Sequence, residues 1–205
     1  QVGHNVSQSA LTGFMVDTAI HGLAAACVAE NASRFGEPDR ERLIRALNDA
    51  QYEEDLYRAI EHEAEFVSRQ ALLDAPDGNP ELVRQVAELL REFAAALTQP
   101  EAQYQAWLSR MQAAQAANSL IKMTGPAIEN VVDMARATVV QHAMVSAGLT
   151  VVQGGTDALP TYPDPATGQP FLYQETADGF QLQSVYQRRG QPVAMTFRRK
   201  NSGGQ

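Results

Sequence analysis

The sequence predicts a mainly α fold: an antiparallel helical bundle that carries a small C-terminal antiparallel β-hairpin or three-stranded sheet. Three observations lead there. Long stretches up to about residue 153 repeat apolar residues at helical spacing, the connections between them are short, and the pattern changes to period 2 after Gly154-Gly155. Residues 1–155 are therefore assigned to the bundle, 156–200 to a proline-rich loop and β appendage packed on it, and 201–205 to a disordered tail.

The first helix is expected over residues 5–33, with Leu11, Met15, Thr18, Ala19, Gly22, Leu23 and Ala26 on its apolar face and Phe14 and Val28 widening it. Phe35-Gly36-Glu37-Pro38 breaks the chain, because Pro38 suits the first turn of a new helix. The second helix, about 38–49, presents Leu43, Ile44 and Leu47. A third, about 51–74, presents Tyr52, Leu56, Ala59, Ile60, Phe66 and Val67, and ends at the turn Ala75-Pro76-Asp77-Gly78. Asn79-Pro80-Glu81 combines a cap, a proline at the first helical position and an early acid. The fourth helix, 80–98, turns Leu82, Val86, Leu89, Leu90, Phe93 and Leu97 inward. A fifth starts at Gln99-Pro100-Glu101, carries Tyr104, Trp107, Leu108 and Met111, and runs to about Met123. Thr124-Gly125-Pro126 is expected to break or kink the chain before a sixth helix, 126–149, with Ile128, Val131, Val132, Ala135, Val139, His142, Val145 and Leu149.

From Leu159 to Val185 the residue order is more specific. Pro160, Pro163, Pro165 and Pro170 cannot belong to an α-helix interior. Phe171 and Tyr173 share one strand face. Asp178-Gly179 reads as a type I′ hairpin turn, in which both central residues need positive φ. Phe180, Leu182 and Ser184 then alternate on a return strand, and a turn at Arg189-Gly190 leads to a third strand with Val193, Met195 and Phe197 on one face. Three short strands with one apolar side need a surface to pack on, which the helices supply.

The residues Asp164, Pro165, Gly168, Pro170, Phe171 and Tyr173, followed by Asp178, Gly179, Phe180, Leu182 and Ser184, form a pattern that resembles the C-terminal segment of the major pseudopilin of type II secretion. There a D-P-W-G-x-P-Y-x-Y loop leads into a small antiparallel sheet. The pattern is closer still to a group of bacterial proteins, many from planctomycete-like bacteria, in which a long helical region ends in DP-[FAW]-[ST]-G-x-P-[FL]-x-Y and DG-[FY]-x-L-x-S. The match covers about 25 residues; the helical part is similar only in layout. The resemblance implies a non-enzymatic, envelope-associated structural or interaction protein linked to a pseudopilin-type secretion or assembly system. It implies location in the bacterial envelope or periplasm, with an unidentified protein partner. Two departures limit it. Pseudopilins open with a processed hydrophobic helix starting at Phe, whereas this chain opens QVGHNVSQSA. Their calcium-holding acidic loop is replaced by Tyr186-Gln187-Arg188-Arg189-Gly190, so calcium binding does not carry over.

Composition narrows the function classes. At 44% hydrophobic and 20% charged the chain is globular in character. Its single cysteine, Cys27, excludes a disulfide framework and a cysteine zinc site. The apolar run from Leu11 to Ala29 contains Asp17 and His21 and reads as a buried helix instead of a membrane span. A chain that begins at Gln leaves room for a removed signal or upstream anchor. The net charge of −8 is uneven: Arg188, Arg189, Arg198, Arg199 and Lys200 are the only charges after Ser184, leaving 11 basic and 24 acidic groups before it. An acidic body argues against nucleic acid as a partner. The five basic residues have two readings: docking on the acidic helices or plain solvation, and contact with an anionic partner or lipid headgroup.

Polar residues on apolar stripes are the other candidates. Asp17 and His21 are i,i+4 neighbours, Glu63 lies between Ile60 and Phe66, and His142 lies between Val139 and Val145. Were these to converge, burial would separate their pKa values and create an acid–base or small-molecule or lipid site, the alternative function. Otherwise each is a satisfied core or boundary group. No metal or other cofactor is expected, since His62-Glu63-Ala64-Glu65-Phe66 lacks the second histidine of H-E-x-x-H and no Glu-x-x-His pair occurs. Glu53, Glu54, Glu61 and Glu65 read as a solvated face. No Walker, G-x-G-x-x-G or G-x-S-x-G motif occurs, and Ser184 has no histidine near it in sequence.

Overall fold

The computed structural model describes residues 10–49, 54–62, 65, 80–97, 101–117 and 119–199. The chain is mainly helical, with a three-stranded antiparallel sheet near its C-terminus. Six α-helices are described: α1 (Ala10–Glu30), α2 (Glu37–Asn48), α3 (54–62), α4 (Pro80–Leu97), α5 (Glu101–Ala117) and α6 (Ser119–Gly154). Short 3₁₀ segments, Ala32–Arg34 and Thr156–Thr161, follow α1 and α6. The strands are β1 (Leu172–Thr176), β2 (Gly179–Arg188) and β3 (Gln191–Arg198), in the order β1-β2-β3. Among the described residues no helix is long and apolar enough to cross a membrane.

Two compact units form, and their boundaries differ from the division at residue 155 expected from sequence. The first comprises Gln1–Asp17 and Gln51–Asp133, the second Thr18–Ala50 and Met134–Gln205. The reason is the core of the second unit. It is built jointly from Ala25, Ala29 and Ala32, from Val140, Met144, Val145 and Leu149 of α6, and from Phe180, Leu182, Met195 and Phe197 of the sheet. The sheet thus shares one core with the helices it packs on. Leu43, Ile44 and Leu47 of α2 pack against this core half-buried.

In the first unit, Leu56, Ala59 and Ile60 of α3, Val86 and Ala87 of α4, Trp107 and Met111 of α5, and Val131 and Val132 of α6 are buried. α4 packs on α5, where Arg110 and Glu92 approach to 3.5 Å. Gln115 donates to Glu129 at 3.3 Å. The rest of the expected third helix, with Phe66, Val67 and the turn at 75–78, lies outside the described residues, as do residues 201–205.

Three sequence expectations need correction. First, α1 buries Phe14, Thr18, Ala25 and Ala29, while Ala19, Leu23 and Ala26 are exposed, Leu23 at 73%. The helix is apolar nearly all round, so periodicity cannot select its inward face. Second, Thr124-Gly125-Pro126 does not end a helix, since all three residues lie inside α6. Third, the β1–β2 turn is Ala177-Asp178, with Thr176 opposite Gly179. Neither turn residue has positive φ. Gly179 is the first residue of β2, and a Cβ there would collide with the Phe197 carbonyl of β3. The type I′ geometry is instead at Arg189-Gly190, with φ of 51° and 76°.

The sheet lies on α6 through a close aromatic contact. Phe197 and Phe180 are cross-strand partners with stacked rings 5.0 Å apart. The Phe197 ring occupies the space where a side chain at Gly148 of α6 would be. Only a residue without a Cβ lets the helix come this near the sheet.

Candidate functional site

Two constellations in the second unit bring together some of the polar residues that the sequence singles out. The first surrounds Asp164. Its backbone C=O accepts from Thr167 and Gly168 at 3.1 and 2.7 Å, and its N–H donates to the Gln169 carbonyl at 2.8 Å, closing the loop before β1. Gly168 holds φ of 69°, which its lack of a Cβ permits. The carboxylate is buried, 2% exposed. Oδ1 accepts from the Ala166 N–H at 2.9 Å, an Asx-turn contact. Oδ2 accepts from the Ser184 hydroxyl at 2.7 Å and the Val185 N–H at 3.3 Å.

The partner side of this contact is a bulge in β2. Gln183 pairs with Ala194 but Gln187 pairs with Pro192, so three β2 residues, Ser184 to Tyr186, stand opposite Val193 alone. A bulge takes backbone groups out of the ladder, and buried ones need other partners. Here Asp164 accepts from the Val185 N–H, and the Ser184 hydroxyl accepts from the Tyr186 N–H at 2.9 Å while donating to Asp164. The Asp-Pro-x-x-Gly and Ser positions of the sequence motif are thus one latch between the loop and the sheet. Phe171, Phe180 and Leu182 of the same motif are core residues.

The second constellation lies between α1 and α6. His21 and His142 face each other with ring centroids 5.5 Å apart and planes tilted by 57°. His142 is buried, and desolvation pushes its pKa down to about 4, with a smaller contribution from nearby His21. Both effects disfavour the imidazolium. Ser146, one turn further along α6, is fully buried, and its hydroxyl has no hydrogen-bond partner among the described residues. The sequence reading missed it, although its i,i+4 spacing from His142 places it on the same helix face. Asp17, one turn before His21 on α1, is exposed. Glu63 lies outside the described residues. Of the four proposed polar-core residues, the two histidines are brought together.

The basic residues near the C-terminus separate. Arg188 and Arg189 are at the β2–β3 turn, whereas Arg198 pairs with Gly179 at the opposite end of the sheet. Seven residue steps of β3 put these ends roughly 23 Å apart. Arg199 donates to Glu175 at 2.9 Å and to the Tyr173 hydroxyl at 3.0 Å, and its guanidinium lies 5.5 Å from the Phe180 ring centre. Lys200 lies outside the described residues. Of the acidic face expected on α3, Glu54, Glu61 and Glu65 are exposed, with Glu54 paired to Arg58 at 2.5 Å and Glu61 accepting from Tyr57 at 3.0 Å. Glu53 is outside the described residues. Among those residues no group of three or more His, Cys, Asp or Glu is placed to hold a metal ion.

No known family matches the chain, and neither a curated protein nor a solved structure matches it.

Proposed function

We propose that the chain is a non-enzymatic, envelope-associated structural or interaction protein that works with a pseudopilin-type secretion or assembly system. The observation that supports this is how the motif residues are used. Asp164 and Ser184 tie the loop to the β2 bulge, and Phe171, Phe180 and Leu182 fill the core beneath the sheet. A segment that resembles a pseudopilin C-terminus in sequence therefore directs its polar and apolar groups towards holding a sheet in one shape, a role in presentation and not in chemistry. Fold-level likeness transfers to function only by analogy, so partner recovery is the decisive measurement. The tagged chain, expressed in a bacterium that carries such a system, is cross-linked and purified from fractionated cells. Assembly components are expected to co-purify from the envelope fraction, and Asp164→Ala is expected to reduce that recovery. Isolation from the cytosolic fraction without partners would overturn the reading.

A second reading, a helical domain that binds a small molecule or lipid or acts as a minor enzyme, draws on the meeting of His21 with His142 and on buried Ser146 one turn further along α6. Native mass spectrometry separates it from the first. A retained ligand that His142→Leu loses would favour it, and an empty wild-type protein would end it.

A further inference from the structure

The two edges of the sheet are unequal. β3 carries Pro192 and lies alongside the 3₁₀ turn Ala32–Arg34. Proline on an edge and cover by a neighbouring segment are two ordinary ways to keep an edge from pairing with another chain. β1, the other edge, is Leu172-Tyr173-Gln174-Glu175-Thr176. It has no proline and no basic residue, its pairing with β2 is regular along its length, and all but Tyr173 are exposed. Its one charge, Glu175, is compensated by Arg199 at 2.9 Å. Leu172, 58% exposed, adds an apolar side chain to the same strand.

We propose that β1 pairs with β1 of a second copy of this chain, antiparallel and centred on Gln174, to make one continuous six-stranded sheet. The choice of a second copy follows from what a two-fold axis at Gln174 sets face to face. Leu172 comes opposite Thr176 of the second copy, Tyr173 opposite Glu175, and Gln174 opposite its own equivalent. No like charges meet, and like charges directly opposite would oppose pairing. Glu175 enters beside a tyrosine whose hydroxyl already accepts from Arg199, so each guanidinium stands next to both acids of the seam. The Leu172 side chain gains the Thr176 methyl as cover. A seam of five residues per strand falls short of the roughly 800 Å² per partner of a standard stable complex. The dimer is therefore concentration-dependent.

Sedimentation velocity of the full 205-residue chain over a wide concentration range tests this. Wild type is expected to shift from monomer to dimer as concentration rises. Gln174→Lys and Gln174→Glu each place like charges across the axis and are expected to weaken association by about tenfold or more. Gln174 is exposed, so both variants keep the wild-type circular dichroism spectrum. An equimolar mixture of the two sets lysine opposite glutamate and is expected to recover the dimer. A wild type that stays monomeric at its solubility limit overturns the proposal, as do variants that dimerise like wild type. Loss in both variants without recovery in the mixture overturns the two-fold register, and a monomer that binds an unrelated strand at β1 assigns the edge to a different partner.

Discussion

Replacing Asp164 by alanine removes the acceptor for three hydrogen bonds at once: those from Ala166, Ser184 and Val185. The Ser184 hydroxyl is fully buried, so water cannot take over, and a stranded buried donor costs the desolvation it no longer recovers. Hydrogen bonds to an ionised acceptor contribute about 1.5–3 kcal/mol each, and those at the longer 3.3 Å contact less. With partial relaxation the variant is expected to lose about 3–5 kcal/mol, a large part of the roughly 5–15 kcal/mol that holds a domain of this size folded. Urea denaturation followed by far-UV circular dichroism measures it as a fall in the midpoint at constant slope. Ser184→Ala, with the double variant, completes a cycle whose coupling energy is expected at about 1–2 kcal/mol. A loss below about 1 kcal/mol for Asp164→Ala, or additive single variants, would refute the claim that this pair holds the bulge in place.

Gly148→Ala drives a methyl group into the Phe197 ring and is expected to cost about 2–3 kcal/mol in thermal unfolding, with Phe197→Leu recovering part of it. Acid should loosen the second unit through His142. Its pKa is near 4 folded and about 6.5 unfolded, so the unfolded state binds more protons between those values and stability falls as pH drops from 6.5 towards 4. A shift of this size corresponds to roughly 3 kcal/mol, which solvent screening reduces to about 2 kcal/mol, and the loss is absent in His142→Leu when denaturation midpoints are compared across this range. Ser146→Ala removes a buried hydroxyl that has no partner among the described residues, and is expected to leave stability unchanged or raised by up to about 1 kcal/mol in the same assay. Arg199→Ala removes exposed contacts to Glu175 and Tyr173 and a cation–π contact with the Phe180 ring, so it is expected to cost about 1–2 kcal/mol in denaturation free energy.

The mainly helical class and the three strands were legible because each depends on short-range periodicity. Strand faces such as Val193, Met195 and Phe197 follow from alternation alone, and the structure buries all three. Where local signals compete, the sequence is less decisive. Gly125-Pro126 reads locally as a helix end or kink, yet α6 passes through it. Asp178-Gly179 has the composition of a type I′ turn, but the close approach of β3 is the reason glycine stands at 179, a tertiary cause that no local window contains. The Asp164 latch was half visible. An aspartate two residues before a backbone N–H in a Pro-x-x-Gly loop is a recognisable Asx-turn signal. Its reach to Ser184, twenty residues away, depends on the bulge. The meeting of His21 with His142 across more than a hundred residues had no local signal at all, and neither did the burial of Ser146.

The bulge has a further consequence for how the sheet finds its alignment. Sliding β3 along β2 by two residues would keep every side chain on its own face, so alternation of apolar and polar residues alone leaves neighbouring alignments close in energy. In any such shifted pairing the extra residues of β2 would fall at a different place from Ser184, and Asp164 would have no freed N–H groups to accept from. The loop that precedes the sheet therefore works as a registration mark, rejecting offset sheets that the hydrophobic pattern would tolerate.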